Sequence, residues 1–233
     1  MDLPPYETLV TLLEHVDAFA VAEHLQALGT PGEVSNAYDQ LLRNAYWEHK
    51  DLRMVMLLGT AGIYYNFAHA KLAADDEARM AFKSGAKRLA YNMGSFSWVG
   101  WDEPGITITP ADKLRGLEAA RLNLRLAIEL QKPFDKVRAG AWLVGAQLLA
   151  AGQFAEALFQ FRFALPEKSD KDYPLFCGYV LLAELLTGTD GAERQWEEHL
   201  AMLREVGTEE GDYAETQLLT VHRVFGGKGA AQQ

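Results

Sequence analysis

Chemistry in this chain would have to come from six histidines, one cysteine, a few serines and a set of basic side chains in the middle of the sequence. Four histidines directly follow a glutamate, at Glu14-His15, Glu23-His24, Glu48-His49 and Glu198-His199. Such pairs would suit metal binding or proton transfer if both groups reached one point, but neighbours on a helix point about 100° apart and cannot chelate one ion together. No HExxH spacing occurs, so no metal and no cofactor is expected. Ser95 and Ser97 lie outside any GxSxG context, and Cys177 sits in the apolar run LFCGYVLL, which favours an inert buried thiol. The GGKG from Gly226 to Gly229 lacks the strand and helix of a phosphate loop. No catalytic residue is assigned, and the chain reads as a binding protein rather than an enzyme.

The basic residues are better organised. From Arg79 to Arg138 there are eleven Lys/Arg against six Asp/Glu, although the whole chain carries a net charge of −10. Arg79, Lys83 and Lys87 fall at i, i+4, i+8 and form one helical stripe, while Arg121 and Arg125 form an i, i+4 pair further on. Lys83, Lys87, Arg121 and Arg125 are therefore candidate contacts for an acidic protein or peptide. The competing reading is a solvated surface neutralised by Glu118 and Glu129, which stand at i−3 and i+4 to those arginines. The acidic overall balance speaks against nucleic acid as a partner.

These residues need helices to position them, and the helix starts are well marked. Thr30-Pro31-Gly32-Glu33 and Thr109-Pro110-Ala111-Asp112 each combine a capping threonine, a first-turn proline and an acid three residues on; Asp190-Gly191-Ala192-Glu193 follows the same logic without the proline. Apolar residues recur at three and four between these signals, and no segment alternates with period two. The chain is expected to be all-α, with helices over 6–28 (with a break), 32–48, 51–73, 76–93, 111–131, 135–151, 154–165, 173–187, 190–204 and 209–225. The uncharged run Met54–Ala70 is shorter than the roughly 20 residues of a membrane span and carries Thr60, Asn66 and His69, so it reads as a buried helix. The absence of a basic-then-apolar start, together with a single cysteine, points to the cytoplasm, with no membrane partner. One domain over 1–225 is expected, with 226–233 as a flexible tail.

Ala141–Leu165 reads AWLVGAQLLAAGQFAEALFQFRFAL, with Gly145, Gly152, Ala157, Phe161, Ala164 and Leu165 in fixed relation. This segment resembles the tetratricopeptide repeat, in which a small residue lies where two helices cross, a glycine makes the turn and an AxxxFxxAL stripe runs down the second helix. The stripe echoes at Ala192, Trp196 and Leu200, at Ala120, Leu124, Ala127 and Ile128, and at Ala61, Tyr65 and Ala68; Pro166 comes three residues earlier than the family's repeat-ending proline. The resemblance implies a tetratricopeptide-like right-handed stack of antiparallel helix hairpins, an α-solenoid, working as a protein or peptide interaction scaffold. Family members that grip a peptide's terminal carboxylate present Lys, Asn and Arg from the first helix of each pair. The matching positions here are Ala139, Trp142, Leu143 and Ala146, then Cys177 and Leu181, so such a clamp is not expected.

The stack is interrupted by the long segment Gly94–Pro110, GSFSWVGWDEPGITITP. Glu103-Pro104-Gly105-Ile106 is a type II turn signal, and Phe96, Trp98, Val99, Trp101, Ile106 and Ile108 are too apolar for a solvent loop. The arm 94–110 is expected to fold back as an extended strap or distorted hairpin, with Trp98 or Trp101 buried near Trp142. Trp98, Trp101 and Trp142 are also candidate partner contacts, should the arm dock a partner instead. Self-association as a homodimer is the alternative role, followed by small-ligand sensing.

Overall fold

A computed structural model describes residues 2–226. Among them the chain forms eleven α-helices, one 3-10 turn and no strand. The helices are α1 (Tyr6–His15), α2 (Ala18–Gln26), α3 (Pro31–Trp47), α4 (Leu52–Leu72), α5 (Asp76–Phe96), α6 (Pro110–Glu129), α7 (Phe134–Ala150), α8 (Phe154–Ala164), α9 (Tyr173–Leu186), α10 (Ala192–Val206) and α11 (Glu209–Gly226), with the 3-10 turn at Val99–Trp101. No described helix is long and apolar enough to cross a membrane. Of the expected tail, Gly226 ends α11 and 227–233 lie outside the described residues.

The caps explain most boundaries. Thr30 donates from its backbone N–H and its hydroxyl to Glu33 Oε2, at 2.9 and 2.7 Å. Thr109 and Asp112 exchange bonds reciprocally at 3.0 and 3.2 Å, opening α6. Asp17 breaks the expected first helix in two: its backbone is extended and its carboxylate accepts the Ala20 N–H, so it caps α2 and stops α1. The cap expected from Asp190 is not made; α10 starts behind Gly191, whose left-handed backbone takes the capping position without a side-chain bond.

The described residues form two compact units: 2–97 with 105–132, and 98–104 with 133–226. No linker composition marks the division, because the chain passes between the units within a few ordered residues. The first unit contains α1–α6. Its core gathers Leu9, Val21, Leu25, Tyr38, Leu42, Met54, Leu58 and Leu89, all buried, with α3 packed on α4 and α5, and α5 on α4 and α6. A buried polar node joins α3 and α4: the Ser35 hydroxyl donates to Asn66 Oδ1 at 2.7 Å, and Asn66 Nδ2 donates to the Gly62 carbonyl at 2.8 Å. A Cβ at Gly85 would sit 2.4 Å from that Oδ1, so only glycine lets α5 approach.

The second unit contains α7–α11 and Trp98–Pro104. Its α7–α8 hairpin spans Phe134–Ala164. A Cβ on Gly145 would lie 2.7 Å from the Phe161 ring, Gly152 turns the chain with φ +71°, and Ala157, Phe161 and Ala164 are fully buried. On α10, Ala192, Trp196 and Leu200 are buried too. The non-helical segment is shorter than expected, since α5 continues through Phe96. It forms no hairpin among the described residues; a 3-10 turn leads through Asp102, at φ 48°, into a turn with Gly105 at φ +83°. Its apolar side chains divide between the units. Trp98 packs in the second, while Ile106 and Ile108 pack against the core of the first.

Candidate functional site

A groove of about 1370 Å³ lies within the first unit, bordered by α2, α4 and α6. Its apolar surface follows from residues on α4 that no described residue covers. Thr60, Tyr64 and Ala68 recur at i, i+4, i+8 as an exposed stripe, flanked by half-buried Leu57, Ala61 and Phe67. Phe19 of α2 faces the same space. Phe19 is 79% exposed and Tyr64 72%, so two aromatic rings spend their surface on solvent while the core beneath them is closed. Met93 of α5 lies at the floor.

The α6 wall carries charge on one helical line. Arg115, Glu118, Leu122 and Arg125 stand at i, i+3, i+7, i+10 and all line the groove. Asp112, at its start, is committed to the Thr109 cap. Neither Arg115 nor Arg125 has an ion-pair partner among the described residues, and both are exposed. Arg53 at the opposite side is within 3.7 Å of Glu14 and 4.0 Å of Asp51.

The basic residues read from the sequence therefore separate. Arg125 lies in the groove wall, whereas Arg121 is exposed outside the groove lining. Lys83 pairs with Glu129 across α5 and α6, and the Lys87 carbonyl accepts from Asn123 Nδ2 at 2.8 Å. The expected neutralisation of Arg121 and Arg125 by Glu118 and Glu129 does not form; Glu129 is drawn to Lys83 on the packed neighbouring helix. Arg115 was missed, and its signal was the 3-4-3 spacing it shares with Glu118, Leu122 and Arg125.

Trp98, Trp101 and Trp142 lie in the second unit as packing groups. Trp98 is 1% exposed and Trp142 8%, with ring centroids 5.5 Å apart and planes at 79°. Trp101 meets both at 4.9 and 5.9 Å, and Tyr179 and Phe225 complete the cluster around Trp98. Arg223 of α11 ties down Asp102 at 2.8 Å. Trp98 and Trp142 consequently have almost no surface to offer a partner. The clamp-aligned positions Leu143 and Ala146 are fully buried as well.

Two titratable groups in this unit are shifted by their surroundings. Burial pushes the Cys177 thiol up, partly offset by a hydrogen bond with Tyr173. Burial lowers His199, whose Nε2–H donates to the Pro174 carbonyl at 2.8 Å, a bond that opposes the shift. No three His, Cys, Asp or Glu residues among those described converge as a metal site. No protein-family model matches this chain, and neither a curated protein nor a solved structure matches it.

Proposed function

We propose that this chain is a helical-repeat interaction scaffold of tetratricopeptide type, and that the α2–α4–α6 groove receives a segment of a partner polypeptide. The hairpin packing within each unit supports the repeat reading: α3 contacts both α4 and α5, and α9 contacts both α10 and α11, as consecutive hairpins in a stack would. The groove itself carries the functional reading. At about 1370 Å³ it exceeds the roughly 300–1,000 Å³ usual for small-molecule pockets, and its exposed aromatic rings favour an apolar occupant of polypeptide size. Affinity capture from the source lysate with the wild-type chain and with Tyr64→Glu/Ala68→Glu tests this. Both positions are exposed, so the fold is spared. A partner retained equally by the two proteins would contradict the reading.

Self-association has its own support. Phe134, Phe159 and Phe163 are 60, 69 and 46% exposed on α7 and α8, a surface that a second copy could cover. Sedimentation across a hundredfold dilution, repeated with Phe159→Ser, decides whether it forms; a monomer throughout would dismiss it.

A further inference from the structure

We infer that the occupant of the groove is a polypeptide segment with an apolar face and two carboxylates about 15 Å apart, one for Arg115 and one for Arg125; this rests on the groove being the binding site. The two arginines are ten residues apart on α6, which at about 1.5 Å per residue sets a separation of about 15 Å along the helix. Both line the groove without an ion-pair partner among the described residues. Glu118 stands between them, about 4.5 Å along the axis from Arg115, so a third acid placed there on the occupant would be repelled.

The spacing restricts the occupant's sequence. In a helical occupant the acids stand ten or so residues apart, at about 1.5 Å per residue. In an extended one they stand four to five apart, at about 3.3 Å per residue. Between them the occupant presents apolar side chains to Phe19, Leu57, Tyr64 and Leu122. Arginine suits this role because its planar fork binds a carboxylate through two parallel hydrogen bonds. The wall is thus selective for acidic, apolar segments and unfavourable to basic ones.

The test is selection of a displayed library of random 16-residue peptides on the full chain, followed by fluorescence anisotropy with the enriched peptides made synthetically. Enriched peptides should be apolar with two acids at one of these spacings. Arg115→Gln/Arg125→Gln should weaken their binding about three- to thirtyfold and flatten its salt dependence. Arg115→Lys/Arg125→Lys should restore part of it. Binding lost in Tyr64→Glu/Ala68→Glu but unchanged by the arginine substitutions would overturn the acidic specificity and leave the groove as the site. Binding unchanged by either pair, or no enrichment at all, would overturn both. A dimer that Tyr64→Glu/Ala68→Glu dissociates would make the occupant a second copy and overturn the proposal too.

Discussion

Trp98 and Gly100 form a pair whose coupling is measurable. The indole is 1% exposed, and its Cζ2 lies where a Cβ on Gly100 would come within 2.3 Å. Removing the indole gives up about 150–250 Å² of buried surface at about 25 cal/mol/Å², or roughly 4–6 kcal/mol. Partial collapse of the cavity leaves about 3–5 kcal/mol for Trp98→Ala. Gly100→Ala overpacks the same contact and should cost about 1–3 kcal/mol. In the Trp98→Ala background the atom it collides with is gone, so the second change should cost only a few tenths of a kcal/mol. The four proteins form a double-mutant cycle, read by urea unfolding monitored through far-UV ellipticity, and the coupling should be about 1–3 kcal/mol. Trp47→Ala serves as the control, since Trp47 is 55% exposed. A loss below about 1 kcal/mol for Trp98→Ala, or additivity within about 0.5 kcal/mol, would refute the packing of this segment.

Gly145→Ala would press a methyl group into the Phe161 ring at 2.7 Å, and an unfolding midpoint lowered by the equivalent of about 1–3 kcal/mol checks it. His199 is held neutral by burial, so the unfolded chain binds more protons below the ordinary histidine value. Its stabilisation is present above about pH 6.5 and is lost as pH falls from there toward the folded value. Stability measured from pH 7.5 to 5 should fall less steeply in His199→Gln than in wild type. Cys177, half-buried with its thiol raised, should react with a disulfide reagent more slowly than a free thiol at pH 8, and faster after urea unfolding.

Much of the helical fold is legible in the sequence because caps are local. Thr30 and Thr109 each hold an acid three residues on, and no tertiary information is needed to read them. Asp17 was legible too as a capping type, but its role in splitting the first helix depends on an extended backbone that periodicity does not reveal. Asp190 shows the opposite failure, where a good capping residue loses its position to a glycine in a left-handed turn. The interruption's apolar content reported that it packs, but not that its two ends serve different units: Trp98 joins Trp142 while Ile106 and Ile108 join another core. Arg125 is marked in the sequence by its charge and its i, i+4 spacing from Arg121. Arg115 is not, because the groove wall is defined by which face of α6 is left uncovered, and that follows from packing on α5 rather than from α6 alone.

The most direct measurement of groove binding places the occupant on the protein. An enriched acidic peptide carrying a photo-activatable cross-linker at a central apolar position is irradiated with the full chain, and the adducts are mapped by peptide mass spectrometry. Adducts are expected on α2, α4 and α6, at Phe19, Leu57, Tyr64 or Leu122, and should disappear in Tyr64→Glu/Ala68→Glu. Adducts confined to α7–α11, or unchanged by that double substitution, would contradict the groove as the binding site.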